Sequence, residues 1–317
     1  MNPIGGVKAI LGATGDGGVD WDAAGDAAQE LTDSGTLELS VSVREGYAAD
    51  IKTARQEVAA VSGIEFDLPE TIEVQNRHHW IERTLETVEL GFEPLAHRGS
   101  SVPALTGPVN TASVAGSVAY LSRRVMGQYD PVLFADEASH GLYIVHPNVV
   151  AGASELDVDF ERFRRWIAFH EVTHAAEFAE APWLRSYLTE RMRTVIGELA
   201  TGTIPRRQYA QLNRAMTAVE GYAELLMDEA FDEKSADLRR KLDERRDPGG
   251  PFARLISRAL GLNIKREQYE RGRAFFEHIK AERGLEGARE VWTDPSALPR
   301  ETELETPGRW VDRVSSR

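Results

Sequence analysis

The chain reads as a mainly α-helical α+β protein with one small β-hairpin, in which a helix carrying His170-Glu171-Val172-Thr173-His174 is followed by a helix carrying Glu220. Three observations predict it. Long stretches place apolar residues at 3–4 spacing, two short apolar runs flank a Gly-bearing turn, and the two-histidine pentad sits inside a periodic run rather than in a loop.

Taken in order, the first forty residues are Gly- and Asp-rich. Their Gly12-Ala13-Thr14-Gly15-Asp16-Gly17-Gly18 stretch lacks the Lys-Ser/Thr ending of a phosphate loop, so it reads as an entry segment. A helix is expected from about Val43 to Val61, and Asn76 has the character of an N-cap for a second helix through Ile81, Leu85 and Leu90. A third is expected from about Ser113 to Met126. The runs Val132-Leu133-Phe134 and Leu142-Tyr143-Ile144-Val145 then flank a turn at Ser139-His140-Gly141 and form the hairpin. After the pentad helix, Pro182 and Pro205 each open a helix, the second reaching about Asp228. Residues 233 to 251 are polar and breaker-rich and read as an exposed loop, helical pieces follow at about 252 to 260 and 266 to 283, and the Pro-bearing tail reads as irregular. The expected organisation is an N-terminal helical lobe over 1–150, ending in the hairpin, and a metal-binding helical lobe over 151–317, packed as one unit.

Composition bounds the function. At 317 residues, with 42% apolar content, the chain can bury a large core. No run approaches the length of a membrane span, and the N-terminal residues do not have a signal-peptide pattern, so cytoplasmic residence and no membrane partner are expected. With no cysteine, any metal must be held by His, Asp or Glu. The net charge of −14 and the absence of a basic stripe argue against a nucleic-acid partner. Only six of the 37 basic residues are lysine. That balance fits adaptation to a salty cytoplasm and equally fits Arg- and Asp-rich codon usage; stability measured against KCl separates the two.

The pentad carries the sharpest chemistry. Residues i and i+4 of a helix share a face, so His170 and His174 can close on one zinc ion, and Glu171 beside them can take a proton from the water that the zinc activates. Phe160, Phe163 and Ile167 continue the same stripe towards the N-terminus. The third ligand is sought in Glu220-Gly221-Tyr222-Ala223-Glu224-Leu225-Leu226-Met227-Asp228, where carboxylates recur at i, i+4 and i+8. Glu220 fits the ligand and Glu224 the brace for a ligating histidine, while Gly221 is expected to let this helix approach the metal helix closely. A donor for the developing oxyanion is sought among Tyr222, Tyr187, His146 and Tyr129.

At these residues the chain resembles the zincin-like metallohydrolases associated with biosynthesis of the deazaflavin coenzyme F(420), found in actinobacteria and archaea. The resemblance spans most of the chain. It rests on Val19-Asp20-Trp21-Asp22, Gly127-Gln128-Tyr129-Asp130, His146-Pro147-Asn148-Val149-Val150, Phe169 through His174, Pro182-Trp183-Leu184-Arg185, Glu220 through Glu224 and Met227-Asp228. It continues through Gln268-Tyr269, Gly272, Phe275, Val291-Trp292, Pro295 and Leu298-Pro299. It implies a mostly helical zincin-like fold and a zinc-dependent hydrolase of the peptidase or amide-hydrolase kind, whose substrate, a peptide or a small amide, it leaves undefined. Where relatives often carry Glu-Gly-His-Ala-Asp, this chain has Glu220-Gly221-Tyr222-Ala223-Glu224, so the brace is lengthened and a phenol replaces the imidazole. Tyr222 therefore stands beside Glu171 as a catalytic candidate. The alternative from another class is a zincin scaffold kept as a silent binding or assembly factor, which a substrate screen without zinc-dependent turnover would favour. The sequence leaves the oligomeric state open.

Overall fold

A computed structural model of the chain describes residues 18–96, 106–131, 133–134, 140–200, 205–231, 238, 241 and 266–316. The expected helix at 252 to 260, residues Gly12 to Gly17 of the glycine-rich stretch, and the loop at 233 to 251 apart from Leu238 and Lys241 lie outside the described residues. The helices are α1 (Trp21–Glu30), α2 (Val41–Ser62), α3 (Arg77–Ala96), α4 (Thr106–Ser122), α5 (His146–Glu155), α6 (Phe160–Glu180), α7 (Pro182–Ala200), α8 (Arg206–Ala230), α9 (Arg266–Arg289), α10 (Glu301–Glu305) and α11 (Gly308–Ser315). The strands are β1 (Thr71–Gln75), β2 (Gly127–Asp130) and β3 (Gly141–Val145).

Local signals account for several boundaries. Ser40 accepts the N–H of Val43 at the start of α2, and Gly63 closes that helix at φ 66°. Asn76 accepts the N–H of His79 over 3.0 Å and caps α3 as expected. Gly284, at φ 70°, interrupts α9 where the sequence predicts its end, and a short helical segment follows to Arg289.

Other elements depart from expectation. The antiparallel partner of β3 is Gly127–Asp130 rather than Val132-Leu133-Phe134: the ladder ends with Asp130 opposite Gly141, the first residue of β3, and Leu133 and Phe134 lie in a turn. α4 runs from Thr106 to Ser122 rather than from Ser113 to Met126: Pro108 is tolerated in the first turn, and the chain leaves the helix after Ser122 to enter β2. The tail is not irregular. A 3₁₀ turn at Glu290–Trp292, α10 and α11 fold back so that Leu304 and Trp310 are buried, with Trp310 edge-on to Phe275 at 5.7 Å. Sequence periodicity also missed α1, β1 and α5, all ten residues or shorter.

The sheet has the order β1-β3-β2, with β1 parallel and β2 antiparallel to β3, so β2 is an edge strand. One apolar core is built around α6 and includes Tyr47 and Ile51 of α2, Phe163 and Val172 of α6, Leu212 and Leu226 of α8, Phe275 and Phe276 of α9, and Trp310. A smaller one joins Ala24 and Ala27 of α1, Trp80 and Ile81 of α3, and Ala115 and Ala119 of α4. Gly221 does permit a close helix approach, but the neighbour is α9. A Cβ built on Gly221 would stand 2.6 Å from the carbonyl carbon of Gly272, so α8 and α9 cross backbone against backbone.

Candidate metal centre

α6 begins at Asp159, whose side chain accepts the N–H of Arg162 over 2.9 Å. Past its first turns the helix is enclosed: Trp166 through Phe178 are all buried. A helix so enclosed places polar residues in the interior only where they have partners. Those that bear on the site are His170, Glu171, His174 and Glu177. α8 crosses beside it and contributes Glu220 and Glu224, both buried.

The structure brings His170, His174 and Glu220 together. One ligand atom of each lies within 4.8 Å of the others. His170 Nε2 and Glu220 Oε2 are 3.8 Å apart, too far for a hydrogen bond and close enough for both to reach one ion at about 2.1 Å each. The imidazoles stand edge to face, with centroids 4.8 Å apart and planes at 80°, as i, i+4 side chains do when they converge. Two imidazole nitrogens and a carboxylate oxygen form a donor set suited to a borderline metal, and buried as they are they could hold one ion.

At His174 the brace is Glu177. Its Oε2 lies 2.7 Å from His174 Nδ1, within one helical turn. In the Nδ1–H tautomer the histidine donates to this carboxylate and keeps Nε2 as the lone-pair nitrogen. Burial pushes the Glu177 carboxyl well above its ordinary value, and the nearby backbone of Ala223 on α8 opposes it in part. Sequence reasoning offered Glu224, which the structure buries on α8 one turn after Glu220, and missed Glu177 at His174, although its position three residues after that histidine, on the same face, was a usable signal.

Glu171 is 2% exposed and does not point away from the site into solvent. Its Oε2 accepts the backbone N–H of Tyr129 in β2 over 2.8 Å. Burial pushes its carboxyl up to about 7; His174 and the Tyr129 amide pull it down, and Glu220 pushes it up. A carboxylate with that balance exchanges a proton readily near neutral pH.

The four donor candidates separate. Tyr129 reaches the pentad through its amide, while its hydroxyl bonds His140 Nδ1 and its ring lies against Phe178. His146 is turned to Tyr47, with 2.9 Å between Nδ1 and the hydroxyl. Tyr187 packs beside Trp183 and under the Arg191 guanidinium. Tyr222, two residues and about 200° around α8 from Glu220, sits between Phe276 and Trp292 with ring centroids 5.3 and 5.6 Å away, and burial pushes its phenol up. Packing is the role these contacts give Tyr222.

Two histidines and a glutamate converging on one point, with a second buried carboxylate alongside, make this the site of a metallohydrolase. The chain belongs to the zincin-like metallopeptidase family, whose model matches residues 19–209 and 198–311. It is also similar to a crystal structure from Chloroflexus aurantiacus, described as a candidate hydrolase with a novel fold: the TM-score is 0.80 at 27% identity, covering 94% of this chain and 99% of that one. No curated protein sequence matches the chain. Among the described residues, no helix is long and apolar enough to cross a membrane.

Proposed function

We propose that the protein is a zinc-dependent hydrolase that cleaves an amide or peptide bond in a small substrate in the cytoplasm, with His170, His174 and Glu220 as ligands and Glu171 as general base. The observation that carries this reading is the convergence of the three side chains next to a carboxyl whose proton affinity burial has raised to about 7. A zinc ion held by these residues supplies Lewis-acid polarisation of the carbonyl and makes water more acidic. The protein's own part is proton handling and orientation. Glu171 takes the proton of the attacking water and returns it to the leaving amine, and its burial among α6 and β2 keeps bulk water from competing for that proton. Glu177 holds His174 in one tautomer and one ring orientation. The deazaflavin association implied by the sequence resemblance enters as a choice of test compounds: amide-bearing precursors of that coenzyme belong in the substrate screen beside dipeptides and acyl-amides.

The test is metal content of purified wild type beside Glu220→Ala, in high-salt buffer without added zinc. The proposal expects about one zinc per chain in the wild type and markedly less in the variant. A folded wild type that takes up no zinc, even when zinc is offered, overturns it.

A further inference from the structure

The edge strand β2 meets the metal helix at Glu171, and the register determines how. Val145 donates its N–H to the Met126 carbonyl over 2.8 Å, and Gln128 stands opposite Tyr143. The alternation of an antiparallel ladder therefore turns the main-chain groups of Gly127 and Tyr129 away from β3, towards the free edge. The Tyr129 N–H uses that freedom to bind Glu171 Oε2. Gly127 uses it differently. A Cβ there would stand 2.6 Å from Glu171 Cγ, 2.7 Å from Oε1 and 2.8 Å from Cδ. Among the described residues, glycines at positive φ are Gly35, Gly63 and Gly284, so Gly127 is not needed for an unusual backbone; its contribution is space.

We propose that Gly127 is a positioning residue for the reaction, forming with the Tyr129 amide a two-point seat for the Glu171 carboxylate. This inference rests on Glu171 being the general base. The missing Cβ sets how far the side chain lies from α6, and the single amide fixes rotation of the carboxylate while leaving its second oxygen to accept a proton. The three atoms nearest to a Cβ at residue 127 all belong to Glu171, so the substitution pushes that carboxylate out of the seat before it meets any other side chain. Zinc binding and proton acceptance are therefore separable at this position.

Acetohydroxamic acid probes the seat without any substrate, because it gives up a proton when it binds a metal as acetohydroxamate, and a carboxylate placed beside the site favours binding by taking and holding that proton. Its affinity is measured by titration of zinc-loaded wild type, Gly127→Ala, Glu171→Ala and the double variant, with zinc content and melting temperature recorded for each. Gly127→Ala is expected to keep its zinc and its fold and to bind acetohydroxamate ~10-fold more weakly, the scale of a hydrogen bond to a charged group. The double variant is expected to lose no more than Glu171→Ala alone, because Glu171→Ala removes the Cγ and the carboxylate that the new Cβ meets. Gly116→Ala, where a Cβ meets nothing within 4 Å, is expected to behave as wild type. Wild-type affinity in Gly127→Ala, or additive losses in the double variant, overturns the inference. If Gly127→Ala does not fold, recovery of folding in the double variant supports the seat and its absence overturns it. A wild type that holds no zinc overturns the metal reading and this inference with it; a zinc-loaded wild type with an indifferent Gly127→Ala overturns this inference alone.

Discussion

His174 and Glu177 are joined within one turn of α6 by a 2.7 Å contact between Nδ1 and Oε2, and the Glu177 side chain is fully enclosed. The pair is local in sequence, yet it is enclosed only because α8 packs against α6, with the Ala223 backbone close to the carboxyl.

Removing the brace should be read in metal affinity. Glu177→Ala is expected to weaken zinc binding about 10- to 100-fold, and Glu177→Gln less, since a carboxamide oxygen still accepts from Nδ1–H. Competition with a chromophoric chelator measures the order wild type, Gln, Ala. Equal affinity of all three would show that His174 needs no orientation.

Glu171→Gln should separate binding from chemistry. The variant is expected to carry the same zinc as wild type and to lose about 10³-fold in kcat, within the range assigned to a positioned general base. Metal analysis and turnover on a hydrolysed amide check it; a fully active variant would rule out Glu171 as the base.

The α8–α9 crossing makes a stability prediction with a built-in control. Gly221→Ala drives a Cβ against the Gly272 backbone, which cannot swing aside as a side chain does, and is expected to cost ~2–3 kcal/mol in urea unfolding. Gly197→Ala on α7, where a Cβ meets nothing within 4 Å, is expected to stabilise by up to ~1 kcal/mol through helix propensity. The two glycine replacements should move the midpoint in opposite directions.

The tail supplies the pH prediction. Burial pushes Glu303 up, but the Arg313 guanidinium at 2.6 and 2.8 Å and the Arg300 N–H at 2.8 Å outweigh it and hold its carboxyl below the ordinary 4.5. A carboxyl whose pKa is lower in the folded than in the unfolded chain adds stability that is complete above the unfolded value and disappears as pH falls through the folded one. Glu303→Gln is expected to cost about 2 kcal/mol at pH 7. That difference should shrink once the pH is taken below 4.5, as denaturant unfolding at the two pH values would show.

Much of the helical framework was legible before the structure, because the signals are local. Asn76 and Gly284 mark ends that the backbone obeys, and Pro182 and Pro205 stand at or immediately before the helices they open. The short elements were not legible. β1 is five residues long and gains its ladder only by lying parallel to β3, about seventy residues away in the chain, and α10 has too few residues to show a period. Tyr222 illustrates a different limit: its place in the chain, between two acids, resembles that of a site residue, but the helical turn sends its ring to Phe276 and Trp292.

By itself, the sequence determined that His170 and His174 share a helix face, that Glu171 stands beside them, and that an acidic helix follows with Glu220 on it, since the 3.6-residue repeat converts spacing directly into direction. Only the tertiary structure decided that Glu220 closes the triad, that Gly127 and Tyr129 seat Glu171 across 42 residues of chain, and that Gly221 faces Gly272 rather than the metal helix. Those pairings join distant segments. They are chosen by how whole helices and a strand bury their apolar faces together, a quantity that no local pattern encodes.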